Sequence, residues 1–208
     1  MRTLMLIAGG WLMLSFSLQA QAPTNGSVML TNQTQMEGLV DINSFINSAI
    51  VTTADERQLT YHASMIDEIV TVDECDRMRT FRCYDYRSNS FFDRMEKKLF
   101  QVVSDGSVVL LRRVFEYDVF DANDEYTVEE WYYVEDGKVE RIRNFRRQVL
   151  PLMADHADEM KEFRHRNKLR NLNNEISMYL MVSYYNRLHA VEEEESAPTV
   201  FGQLTSND

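Results

Sequence analysis

Residues that usually announce a mechanism are scarce in this chain. It holds two cysteines and four histidines, too few thiols for a disulfide-rich scaffold or a four-cysteine zinc site. There is no G-x-G-x-x-G, G-x-x-x-x-G-K-[ST] or G-x-S-x-G, so phosphate-cradling loops and a nucleophile elbow are missing. The cysteines form no C-x-x-C and have no histidine nearby in sequence, which argues against thiol catalysis. Beyond residue 16 no apolar run reaches the roughly 20 residues of a membrane-spanning helix.

Positive charge is also in deficit. Acidic residues outnumber basic ones 33 to 22 and the net charge is −11. Such a surface repels phosphodiester backbones and anionic lipid heads, so no nucleic-acid partner is expected. The basic residues that do occur cluster in Arg141 to Arg147 and Arg164 to Arg170, while Glu192 to Glu195 form an acidic run.

What is present begins with the N-terminus. Arg2, an apolar run from Leu4 to Phe16 and a small residue at Ala20 have the form of a secretory signal peptide, residues 1–20, cut after Ala20. Cutting after Ala22 would leave Pro23 at the scissile bond. No cysteine follows the run, so lipoprotein-type anchoring is not expected. The implied location is periplasmic or secreted, with no membrane span after cleavage. In that oxidising space Cys75 and Cys83, with seven residues between them, are either bridged or two separate thiols. A bridge over so short a loop would contribute about 2–3 kcal/mol, and spacing alone leaves both alternatives open.

The body, residues 27–190, reads as one α+β domain: β-rich over 27–143, helical over 144–190, followed by a disordered acidic tail at 191–208. Short strand-like pieces at Ser27–Thr31, Met36–Ile42, Ala49–Thr53 and Gln58–His62 are separated by Asn, Asp and Ser. Ile69–Asp73 and Thr80–Tyr86 read as a further hairpin around the cysteines. Two Asp-Gly turns, Asp105-Gly106 and Asp136-Gly137, lie between strand formers and predict two-residue hairpins, because both turn positions need positive φ. The second pairs Glu135 with Lys138, Val134 with Val139, Tyr133 with Glu140 and Trp131 with Ile142. The first pairs Val103 with Val108 and Gln101 with Leu110. A four-strand unit from Leu99 to Arg143 follows. Helical signals come next: Arg146–Leu152 up to Pro151, a helix from an Asp155 cap to about Lys168, and a last helix capped by Asn173 or Asn174. Ile176, Tyr179, Leu180 and Ser183 or Tyr184 define its apolar face. The fold class is therefore an antiparallel curved sheet, a hairpin meander, packed by two or three C-terminal helices.

Candidate chemistry is thin. Asp121, Asn123 and Glu125 match calcium-loop positions, but Tyr126 stands where glycine is needed and Tyr132 where glutamate is needed. His156 and Glu159 form an H-x-x-E, yet His165 lies nine residues on, about 180° around the helix. His62 and His189 have no partner in sequence. Glu129 and Glu130 are adjacent on a strand and point to opposite faces, so they are not a glycosidase pair. Trp131 and Tyr133 share a face and form a candidate ligand platform, or core under the helices. No catalytic residue, cofactor or metal ligand is assigned. Asn25-Gly26-Ser27 and Asn32-Gln33-Thr34 are glycosylation sequons, inert in a bacterium.

The stretch VVSDGSVVLLRRVFEY, the hairpin WYYVEDGKVERI, the start FRRQVLPLM and the later YYN together resemble a family of uncharacterised signal-peptide-bearing proteins of Gram-negative bacteria. The resemblance implies an envelope location and carries no assigned activity. The expectation is a non-enzymatic exported envelope protein that binds a protein or surface partner. The alternatives are an extracytoplasmic hydrolase using Asp and Glu, and a carrier of a small apolar ligand.

Overall fold

The computed structural model describes residues 23–73, 75–87, 95–118 and 125–196. The expected signal peptide and the calcium-like loop up to Asp124 lie outside them. Ten strands form one antiparallel sheet: β1 (Thr24–Leu30), β2 (Gln35–Asn43), β3 (Ser48–Thr52), β4 (Gln58–His62), β5 (Ile66–Val72), β6 (Met78–Arg87), β7 (Met95–Ser104), β8 (Val109–Asp118), β9 (Glu125–Glu135) and β10 (Lys138–Arg141). Their order is β10-β9-β8-β7-β6-β5-β1-β2-β3-β4. The chain runs outward through β1 to β4, returns through a 3-10 turn at Ala63–Met65, and re-enters beside β1 as β5. The rest is a meander.

The sheet is curved at both ends. A register shift between Met29 and Leu30 bends β1 against β5. Gly26 faces Gly38 across β1 and β2. A Cβ on Gly26 would lie 2.5 Å from the Val70 carbonyl oxygen, and one on Gly38 would lie 2.3 Å from that of Thr52. Only glycine permits that approach. This curl encloses a core of Val28, Val40, Val51, Ile66, Ile69 and Leu99. At the other end β10 curls back against β6.

Alternation on β9 separates two further cores. Tyr133 points to the helices, where Leu110, Phe145, Met153, Met160, Met181, Val182 and Tyr185 are buried. Tyr132 points the other way, into the curl of β6 to β10, with Phe100, Leu111 and Val139.

The helical part holds α1 (Phe145–Gln148), a 3-10 segment (Leu150–His156), α2 (Ala157–Arg166) and α3 (Glu175–Ser196). Asn144 caps α1 through the Arg147 N–H. Asn174 caps α3 by accepting from Ile176 and Ser177, whereas Asn173 accepts from the Phe145 N–H instead. The residues expected to begin a loose tail at Val191 continue α3 through Ser196, and 197–208 lie outside the described residues.

Four expectations are corrected. The β9–β10 register is as expected, and the Ile142 N–H donates to the Trp131 carbonyl at 2.8 Å. In the β7–β8 hairpin, however, Gln101 faces Arg112, and Ser104 faces Leu110 past a register shift. Its turn is wider than two residues because Asn186 of α3 occupies it. The Asn186 amide accepts from the Val108 N–H and donates towards Ser104 Oγ and the Asp105 and Val108 carbonyls. Second, the buried side of α3 is Met178, Met181, Val182 and Tyr185, while Ile176 and Tyr179 are exposed. Third, Asp155 does not cap α2; its carboxylate is engaged by Tyr185 and His189. Fourth, Cys75 and Cys83 are free thiols. Val72 pairs with Met78 and Ile69 with Phe81, so Cys75 is the apex of the β5–β6 turn while Cys83 lies well along β6, opposite Leu99 of β7. At about 3.3 Å per strand residue the two are far beyond bridging distance.

Candidate functional site

The curl of β6 to β10 carries two layers of side chains on its inner face. Phe100, Leu111, Tyr132 and Val139 form the deeper one. Two residues along each strand, on the same face, come Lys98, Arg113, Glu130 and Arg141. These charged residues, with Phe45, Asn47, Tyr86, Phe115 and Arg143, line a cavity of about 450 Å³. Among the described residues, four cationic side chains thus meet a single carboxylate, in a protein whose net charge is −11.

Arg113 is the centre of this arrangement. Only 6 % of it is exposed. Its Nη2 donates to the Ser44 carbonyl and, at 2.8 Å, to Asn47 Oδ1. Both acceptors belong to the β2–β3 turn, which is thereby clasped over β8. Asn47 sits at φ 50°, a left-handed conformation that asparagine tolerates well. The guanidinium stacks 4.7 Å above Phe115 and 5.6 Å from Phe100. Among the described residues its buried Nε has no hydrogen-bond partner, while Tyr132 and Glu130 offset part of the effect of burial on the guanidinium. Burial lowers the guanidinium's affinity for its proton, but an arginine remains charged throughout the biological pH range.

The neighbours match part of the positive charge, and Lys98 Nζ lies 3.8 Å from Glu96 Oε2. Lys98 lies 5.4 Å from the Tyr86 ring centre, and its ammonium is depressed first by burial and then by Arg113. Glu130 accepts a hydrogen bond from the Tyr132 hydroxyl and pairs with Arg141 at 2.8 Å. Burial, and then that bond, raises the Tyr132 phenol well above its ordinary range. Glu129, on the opposite face of β9, pairs with Arg112 at 3.1 Å. The floor is filled by edge-to-face contacts: Phe100–Tyr132 at 5.0 Å, Tyr86–Tyr132 at 5.5 Å and Tyr86–Phe100 at 5.8 Å.

A second cluster lies at the helices. Asp155 Oδ2 is 2.7 Å from His189 Nε2, and the Tyr185 hydroxyl lies 3.0 Å from Asp155 Oδ1 and 2.8 Å from His189 Nε2. The His156 ring stands 5.1 Å from that of His189. Burial raises the Asp155 carboxyl, but hydrogen bonds from His189 and Tyr185 outweigh it and hold the group below its ordinary value.

The residues singled out from sequence are dispersed. Tyr133 is 5 % exposed in the core under the helices. Trp131 is half-buried beside it, with Arg112 5.8 Å from its ring centre. Cys75 and Cys83 lie in neither cluster. His62 accepts from the Ser64 N–H at the Ala63–Met65 turn, and Glu159 and His165 are exposed on α2. The first basic stretch divides: Arg141 and Arg143 enter the cavity, while Arg146, joined by Arg164 of the second stretch, lines a smaller cleft of about 310 Å³ with Met153, Met160 and Met181. Sequence reading missed Arg113 and Lys98. The available signal was a charge two positions from a core residue on the inward face of a strand.

No protein-family model, curated protein or solved structure matches this chain.

Proposed function

We propose that this is a non-enzymatic, exported binding protein of the cell envelope, and that its curled sheet takes an anionic group of its ligand between Lys98, Arg113, Arg141 and Arg143. One observation carries the reading: Arg113 is 6 % exposed and, among the described residues, keeps an unpartnered Nε and lines an open cavity with three other cations and one carboxylate. A buried, incompletely paired cation is costly, and an anion in the cavity would offset that cost. Carboxylate and phosphate groups both suit a guanidinium beside an ammonium. The leader sequence and the resemblance to envelope proteins support export.

Two features support binding over the alternatives. Among the described residues the cavity lining has a single carboxylate, Glu130, already held by Tyr132 and Arg141, where hydrolysis by two carboxyl groups would need a converging pair. The apolar floor beneath is packed by aromatic rings, whereas an apolar-ligand carrier needs empty space there.

Thermal unfolding with inorganic phosphate or citrate, against chloride at equal ionic strength, tests the proposal. The midpoint should rise with either anion, and Lys98→Gln and Arg143→Gln should each lower the apparent affinity about 10-fold, as loss of one charge-assisted bond does. Equal midpoints in all salts would refute it.

A further inference from the structure

We propose that Asp155, His156 and His189 form a binding site for one divalent transition-metal ion of the zinc type. The donor atoms of these three side chains all lie within 4.8 Å of one another. They come from two elements: Asp155 and His156 close the 3-10 segment before α2, and His189 sits in α3. A tetrahedral zinc with ligand bonds of about 2.0–2.1 Å separates its donors by roughly 3.3 Å. Small rotations of the imidazoles and the carboxylate would therefore close the set.

The chemistry of the set selects the ion. Two imidazoles with one carboxylate suit zinc and its neighbours, whereas calcium and magnesium prefer all-oxygen sites. Three protein ligands leave a fourth position for water or a ligand. Exposure suits that geometry: His156 is buried, His189 is one-quarter exposed and Asp155 about half exposed, so the fourth position faces solvent.

Tyr185 would orient the carboxylate. Its hydroxyl lies 3.0 Å and 3.1 Å from the two Asp155 oxygens, and also 3.1 Å from the Leu152 carbonyl oxygen. Hydrogen bonds of this kind to a ligand fix its direction and strengthen it. On metal binding, a neutral His189 carries its one ring proton on Nδ1 and an imidazolium first releases its Nε2 proton to solvent, so that the Nε2 lone pair forms the bond to the metal while the Tyr185 hydroxyl donates to Asp155. The bond to the metal would tie α3 to the segment entering α2.

Titration with zinc alone, followed by calorimetry and by metal content after gel filtration, tests the site. One equivalent per chain is expected. Asp155→Ala and His189→Ala should lose binding, and Tyr185→Phe should weaken it 10- to 100-fold. His62→Ala, His165→Ala and Cys75→Ser should keep it. The visible spectrum of the cobalt-substituted, unaltered protein is a readout that needs no variant. It should show the d–d bands of a four- or five-coordinate site without thiolate charge transfer. Absence of stoichiometric zinc binding, a thiolate band, or unchanged binding by folded His189→Ala overturns the proposal.

Discussion

Cys83 is half-buried on β6, and burial pushes its thiol up to about 12, while Cys75 stands exposed in the β5–β6 turn. Reactivity follows the thiolate. Iodoacetamide on the native protein should therefore add one alkyl group, at Cys75, and the second only after unfolding. Reducing agent should leave the intact mass unchanged. Mass spectrometry reads both outcomes, and a mass loss of two protons before reduction would show the bridge that the register excludes. Arg113 illustrates a different dependence on surroundings. Nothing in R-R-V-F distinguishes it from Arg112, yet the alternation of β8 sends Arg112 towards Trp131 and Gln101 at the surface and Arg113 into the curl. Both faces of β8 are covered, that of Leu110 by the helices and that of Leu111 by the curl, and the β2–β3 turn that Arg113 holds lies on the second.

Turns between strands are held by single side chains. Asp73 accepts from the Cys75 and Arg77 N–H groups through Oδ1 and from the Arg77 and Arg79 guanidiniums through Oδ2, at 2.9–3.0 Å. The Arg77 N–H contributes most, and against the opposing effect of burial these donors hold the carboxyl well below the usual carboxylate range. A depressed folded-state value means that the contribution is full above about pH 4, where an unfolded aspartate titrates, and fades as the pH falls towards the folded value. Asp73→Asn should lower the unfolding midpoint at neutral pH, and the gap from wild type should narrow on acidification. Asn186 plays the corresponding part at β7–β8, and a Cβ on Gly106, at φ 144°, would lie 2.7 Å from it. Asn186→Ala removes an acceptor and a donor from a partly buried turn and should cost about 2 kcal/mol in urea unfolding, with the slope unchanged.

The bend of the whole sheet rests on positions where strands approach too closely for a side chain. Gly38→Ala would place a methyl 2.3 Å from the Thr52 carbonyl oxygen, so backbone must move. A loss of about 1–3 kcal/mol is expected by denaturant titration, the usual cost of forcing a group into filled space. Because the β2–β3 turn is clasped by Arg113, that loss should be accompanied by weaker phosphate or citrate stabilisation, which the same titration with anion present would read.

Strand positions, the Asp136-Gly137 hairpin with its register, the Asn174 cap and the division into a β-rich part followed by helices were legible in the amino-acid order. Each rests on preferences expressed within a few residues: period-two alternation, positive φ at turns, and hydrogen bonds that close a helix end. Tertiary structure alone decided the β7–β8 register, the buried side of α3, the cationic cavity and the Asp155–His156–His189 cluster. On α3 the sets 176, 179, 180, 183 and 178, 181, 182, 185 have the same helical spacing, so periodicity could not rank them. Asn186 in the β7–β8 turn and Tyr185 on Asp155 selected between them. Cavity and cluster alike join residues more than thirty positions apart, and their proximity is a property of how the sheet curls and where the last helix docks.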